Sequence, residues 1–159
     1  MGDGGIDGRG GGVRVKIVIL GVGRMKNSPF ERLWQDYAKR LVPPPALVEF
    51  DDRRVSKTQE SLLAAIPPTS LCVALDERGE SFSSLEFARL LQNWREQGRA
   101  AVSFIQGGAD GLPPEVKTRA DLLLSLGRMT LPHLLARLVL LEQLYRAQTI
   151  SANHPYHRE

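Results

Sequence analysis

Apolar residues along the chain fall into short, dense runs separated by amphipathic stretches. Residues 13–22 are β-branched and apolar apart from Arg14 and Lys16 near the start. A near-continuous run of this kind predicts a strand covered on both faces. Residues 46–50, 71–75, 101–105 and 120–126 repeat the pattern and predict further strands. Between them, Ser28-Pro29-x-Glu31 opens a helix, with serine as N-cap, proline at N1 and a carboxylate at N3. That helix runs to about Leu41, where Pro43-Pro44-Pro45 stops it. Residues 56–66 predict a second helix, ended by Pro67-Pro68, and residues 76–79 a turn after the third strand. Leu85, Ala88 and Leu91 recur at helical spacing in residues 83–97, with Gly98 as the C′ residue. A short helix over residues 113–118 and a long one over residues 131–150 complete the pattern.

Strands alternating with helices predict an α/β fold, a mostly parallel sheet with helices on both faces. Ligands of such sheets gather at the carboxyl ends of strands. The loops that matter are therefore residues 21–28, 75–81, 107–114 and 126–132. The long helix is apolar on nearly every side, from Leu131, Leu134 and Leu135 through Leu138–Leu141 to Leu144 and Tyr145. A helix of that kind is buried on more than one side. In a domain this small a second subunit is the natural cover, so a homodimer is expected.

At 159 residues the chain is expected to form one domain, residues 13–159, preceded by an extension over residues 1–12. The extension holds seven glycines and one large apolar side chain, too little to offset its ordering entropy, and reads as flexible. The chain is 42% hydrophobic and 25% charged, an ordinary globular balance, with net charge +3 that permits an anionic partner such as RNA without demanding one. The single cysteine, Cys72, excludes an internal disulfide and Cys-x-x-Cys metal sites. His133, Arg137 and Glu142 interrupt the longest apolar stretch, and the N-terminus has no signal-peptide pattern, so a cytoplasmic protein without a membrane span is expected.

Gly21-Val-Gly23 after the first strand invites a dinucleotide-binding reading, but the third glycine position is Lys26. Arg24 and Lys26 are either solvated bases on a tight turn or phosphate contacts. Gly107-Gly108-Ala-Asp-Gly111 is a turn or a place where a ligand approaches the backbone; no Gly-Lys-Ser/Thr follows, so it is not a Walker loop. No Ser-His-Asp arrangement, nucleophile elbow or kinase signature appears. The histidines, His133, His154 and His157, lack the close partners that zinc needs, and no metal is expected. His154-Pro-Tyr156-His157-Arg158 reads either as a frayed terminus or as a ring and charges suited to an unstacked RNA base and its phosphates.

Taken in order, residues 15–23, Leu75-Asp76 with Gly79, residues 105–112, residues 124–133, residues 142–147 and residues 154–158 resemble the large-subunit ribosomal RNA methyltransferase H family (RlmH) of the SPOUT class. The resemblance runs from about Arg14 to Glu159. It implies an α/β fold whose C-terminal segment threads a deep trefoil knot. It implies S-adenosylmethionine as methyl donor, held by Leu75, Gly107, Leu126, Gly127, Arg128, Met129, Thr130 and Leu131. It further implies a homodimer whose active site is completed by the partner's tail, and methylation at N3 of a pseudouridine in a 23S-type rRNA stem-loop on the assembled ribosome. Tyr156, His157 and Arg158 become the expected catalytic group, with His157 as base or Arg158 as the cation facing the imide anion. Arg24, Lys26 and His154 become expected RNA contacts. Gln106 departs from the family pattern, where a small or apolar residue is usual, and so does Gly127, where serine is common.

Overall fold

The computed structural model describes residues 15–51 and 55–158, so the expected extension over residues 1–12 lies outside the described residues. Strands and helices alternate throughout: β1 (Lys16–Val22), α1 (Glu31–Ala38), β2 (Ala46–Phe50), α2 (Val55–Ala65), β3 (Leu71–Ser81), α3 (Ser84–Glu96), β4 (Ala101–Gln106), α4 (Pro114–Arg119), β5 (Leu122–Ser125) and α5 (His133–Ser151). The strands form one sheet in the order β2-β1-β4-β3-β5, and every pairing is parallel.

Side chains alternate across the sheet and build two cores. Ile17, Ile19, Val73, Val102, Phe104 and Leu124 face α1, α3 and α5, meeting Trp34, Phe87, Trp94, Leu138, Leu140, Leu141 and Leu144. Leu20, Cys72, Ala74 and Ile105 face the other way, meeting Leu62 of α2 and Val116 of α4. Both faces of the central strands are thus covered, which is why their sequences are apolar without interruption.

Three local readings need correction. The first helix begins at Glu31, not Ser28. Ser28 Oγ accepts from the Phe30 amide at 3.2 Å, and Glu31 Oε2 reaches back to the Asn27 amide at 2.9 Å. The capping residues close a turn instead of a helix end, with Asn27 at φ +63°. That helix also stops at Ala38, short of Leu41. Residues 76–79 do not end the third strand. They bulge out of β3 between Leu75 and Glu80, both of which register with Leu124, and the strand resumes to Ser81. A Cβ on Gly79 would lie 2.5 Å from the Leu123 carbonyl carbon, so only glycine lets the bulge close against β5. The last strand is shorter than residues 120–126. Ser83, by contrast, caps α3 with Glu86 in a reciprocal capping box, and Gly98 follows at φ +78°.

Candidate donor pocket and C-terminal tail

The carboxyl ends of β3, β4 and β5 surround a cavity of about 260 Å³. Leu75, Leu124, Leu126, Met129 and Leu131 supply apolar walls, and Gly107, Gly108, Gly111 and Gly127 supply bare backbone. The glycines are needed for closure. A Cβ on Gly107 would sit 2.4 Å from the Gly111 oxygen, where residues 108 and 111 bridge. Gly127 adopts φ +136°, which side chains rarely tolerate, and its amide donates to Ser125 Oγ at 3.1 Å. That backbone conformation is a reason for glycine where the family pattern has serine.

Of the residues expected to hold a donor, Leu75, Gly107, Leu126, Gly127, Met129 and Leu131 line this cavity together. Arg128 and Thr130 do not; both are exposed. Asp76, Glu77 and Arg78 of the expected loop 75–81 also line the cavity, and so do Gln106, Lys117, His133 and Ala136, which the sequence did not mark as donor contacts.

Behind the walls lies a buried charge that the apolar pattern hid. Arg137 is fully buried and donates to Val22 O at 2.9 Å, Gly23 O at 3.1 Å, Gln106 Oε1 at 2.9 Å and Glu49 Oε2 at 2.7 Å. Desolvation lowers its pKa, and the Glu49 carboxylate opposes that shift. Gln106 in turn donates to the His133 carbonyl, joining the end of β4 to the start of α5. A polar residue at 106 therefore has a buried partner on each side. Gly21 and Gly23 are explained by the same network. A Cβ on Gly21 would lie 2.4 Å from Arg137 Nη2, and one on Gly23 would lie 2.6 Å from His133 Nε2. These glycines admit α5. Met25 is buried between them and Glu49, which accepts from its amide at 2.6 Å, and this leaves Arg24 and Lys26 exposed on either side.

The tail is not frayed against solvent. Tyr156 packs edge-on to Tyr145 with ring centroids 4.8 Å apart, donates to Glu142 Oε1 at 3.1 Å, and lies under the Arg146 guanidinium at 4.9 Å. Burial raises its pKa, and neighbouring Tyr37 and Glu142 push the same way. The Tyr156 ring is thus engaged with its own chain. His157 Nδ1 lies 3.1 Å from Arg146 Nη1, and its Nε2 is buried with no partner among the described residues. His154 accepts from the Tyr156 amide at Nδ1, and its own amide donates to Thr149 O at 2.8 Å. Arg158 is exposed. None of these tail residues lines the cavity. Among the described residues no group of His, Cys, Asp and Glu is placed to hold a metal ion, and no helix is long and apolar enough to cross a membrane.

An open parallel sheet with an apolar, glycine-lined cavity at its carboxyl edge is the architecture of an α/β small-molecule site. A family model described as "Predicted SPOUT methyltransferase" matches residues 15–157, and the chain belongs to that family. It is 45% identical over 151 residues to the ribosomal RNA large subunit methyltransferase H of Paramagnetospirillum magneticum, covering 91% of this chain and 99% of that one. The protein of the same name from Rhodospirillum centenum is 47% identical over 151 residues, and that of Burkholderia multivorans 43% identical over 157, with the same coverage. A solved structure, a probable methylase family protein from Haemophilus influenzae, aligns with TM-score 0.54 at 12% identity, covering 91% of this chain and 70% of that one, and so shares the fold.

Proposed function

We propose that this methyltransferase acts in the cytoplasm as a homodimer and methylates N3 of a pseudouridine in a 23S-type rRNA stem-loop on the assembled ribosome, with S-adenosylmethionine as donor. The observation that carries the reading is the identity of 43–47% to proteins named ribosomal RNA large subunit methyltransferase H, each matched over nearly its whole length. The pocket fits a nucleoside-based donor, with leucine walls for ring and alkyl parts and glycine backbone for close approach. When bound, the donor supplies an electrophilic methyl group. The chain's part is to orient that group and exclude water around it. The knotted threading implied by the resemblance belongs to the same reading.

The imide nitrogen of pseudouridine must lose its proton before it attacks, and a fixed cation lowers the cost of the anion that forms. Arg158 is given that role, because it is exposed, always charged and carried on an anchored tail. His157 of the same anchored tail, whose Nδ1 lies 3.1 Å from Arg146 Nη1, is the candidate to take the imide proton. Arg24 and Lys26, exposed on the turn after β1, provide phosphate contacts.

The tail comes from the partner. Along α5 the pocket meets His133 and Ala136, whereas the tail grips Glu142, Tyr145 and Arg146. The six rises from Ala136 to Glu142 and the ten to Arg146 span about 9 and about 15 Å at 1.5 Å per residue. A chain's own tail thus packs about two to three turns along α5 from its own pocket.

Incubation with radiolabelled donor and whole ribosomes, followed by mapping of the modified nucleotide, tests the reading. One labelled pseudouridine in the large-subunit rRNA is expected. Label confined to tRNA or to small-subunit rRNA would overturn it.

A further inference from the structure

The mouth of the cavity carries an ion pair between two elements that otherwise only meet in passing. Asp76 stands in the β3 bulge and Lys117 on α4, with Oδ2 and Nζ 3.1 Å apart. Both line the cavity. The lysine side chain is 44% exposed, and a rim pair of that exposure adds little to folding stability. The carboxylate is nonetheless held in place. Its Oδ1 accepts from the Arg78 amide at 2.9 Å, and that bond, helped by Lys117, keeps its carboxyl below the usual carboxylate range. The bulge that presents it closes only because residue 79 is glycine.

Deeper in, the walls are leucine and glycine backbone, with Gln106 tied up by Arg137 and the His133 carbonyl. The cavity is open to solvent, and its volume of about 260 Å³ falls below the ~300–1,000 Å³ usual for ligand pockets. Leucine walls and bare backbone suit the nucleoside, which leaves the charged rim for the ligand's other end. There the fixed carboxylate and ammonium meet it side by side. An α-amino acid end carries the complementary pair of charges at a similar spacing.

We propose that Asp76 and Lys117 form the receptor for the zwitterionic amino-acid end of the donor, Asp76 taking its ammonium and Lys117 its carboxylate. The proposal rests on the reading that this pocket binds S-adenosylmethionine, and it adds the residues that select the amino-acid end. Glu77 and Arg78, also at the mouth, are exposed and are not assigned a contact.

S-adenosylhomocysteine and 5′-methylthioadenosine separate the two ideas, because both are thioethers of the same nucleoside and differ in the amino-acid end. Titration calorimetry is run on the full-length protein and on Asp76→Asn and Lys117→Met, each checked for an unchanged melting temperature. The native protein is expected to prefer S-adenosylhomocysteine. Each variant should lose about tenfold in affinity for it, the scale of one charge-assisted hydrogen bond, and keep its affinity for 5′-methylthioadenosine. Variants that bind S-adenosylhomocysteine as tightly as the native protein, or that lose both ligands equally, would overturn the receptor. If the native protein binds neither thioether nor S-adenosylmethionine, the donor-pocket reading itself fails.

Discussion

Arg137 has no access to solvent, yet its guanidinium is met by a carboxylate, a side-chain amide and two backbone carbonyls drawn from the ends of β1, β2 and β4. Removing one partner of a buried pair leaves the other unpaired. Arg137→Met should therefore cost about 3 kcal/mol, the lower end for such pairs because Glu49 retains some solvent contact. Urea unfolding of the variant measures this directly. A loss under 1 kcal/mol would mean that the network does not tie α5 to the sheet. Arg158 is the opposite case, exposed at the end of the tail. Arg158→Ala should keep melting temperature and donor affinity while losing roughly 10²–10³ in methyl transfer, the usual cost of removing a group that stabilises a developing anion. Lysine at 158 should restore only part, because it keeps the charge without the planar fork. Near-native turnover of the alanine variant would remove Arg158 from the mechanism.

Among the elements, α3 carries the capping device with a pH signature. Glu86 accepts from the Ser83 amide at 2.8 Å, and that bond depresses its pKa below the ordinary 4.5. A depressed carboxylate stabilises the fold above its unfolded pKa, and the contribution disappears as pH falls through the folded value. Thermal melts of the native protein and Glu86→Ala should differ at pH 6 and converge on acidification below about 4.5. A gap that persists unchanged to pH 3 would show that the carboxylate's charge is not what caps the helix. The elements themselves were largely legible beforehand, because apolar strands and helices of period 3.6 alternate without ambiguity and the ligand loops follow from strand direction. What escaped depends on through-space convergence. An arginine in an apolar helix reads as a break in the pattern, and nothing local says that three strand ends meet it. The bulge of residues 76–79 reads as a turn, because its return to the same strand is set by pairing with β5. The tail reads as polar, because Tyr145, Glu142 and Arg146 meet it only after α5 is folded.

At the scale of the whole molecule, α5 divides its labour. Its inward side supplies Leu138, Leu140, Leu141, Leu144 and Tyr145 to the core of its own chain, while Leu134, Leu135 and Val139 remain half-buried. Leu134 packs against that same core; the proposed second copy would cover Leu135 and Val139, so light scattering at micromolar concentration should give a dimer. A monomer would contradict the proposed shared site. The most direct measurement mixes two inactive proteins, Gly107→Val, whose side chain would collide with the Gly111 carbonyl, and Arg158→Ala, whose pocket is intact. Methyl transfer to ribosomes is followed after subunit exchange, verified by mass spectrometry. If each tail serves the partner's pocket, half of the dimers are mixed and one of their two sites is whole, so activity should return to about a quarter of native. No recovery after complete exchange would place pocket and tail in the same chain and contradict the composite site.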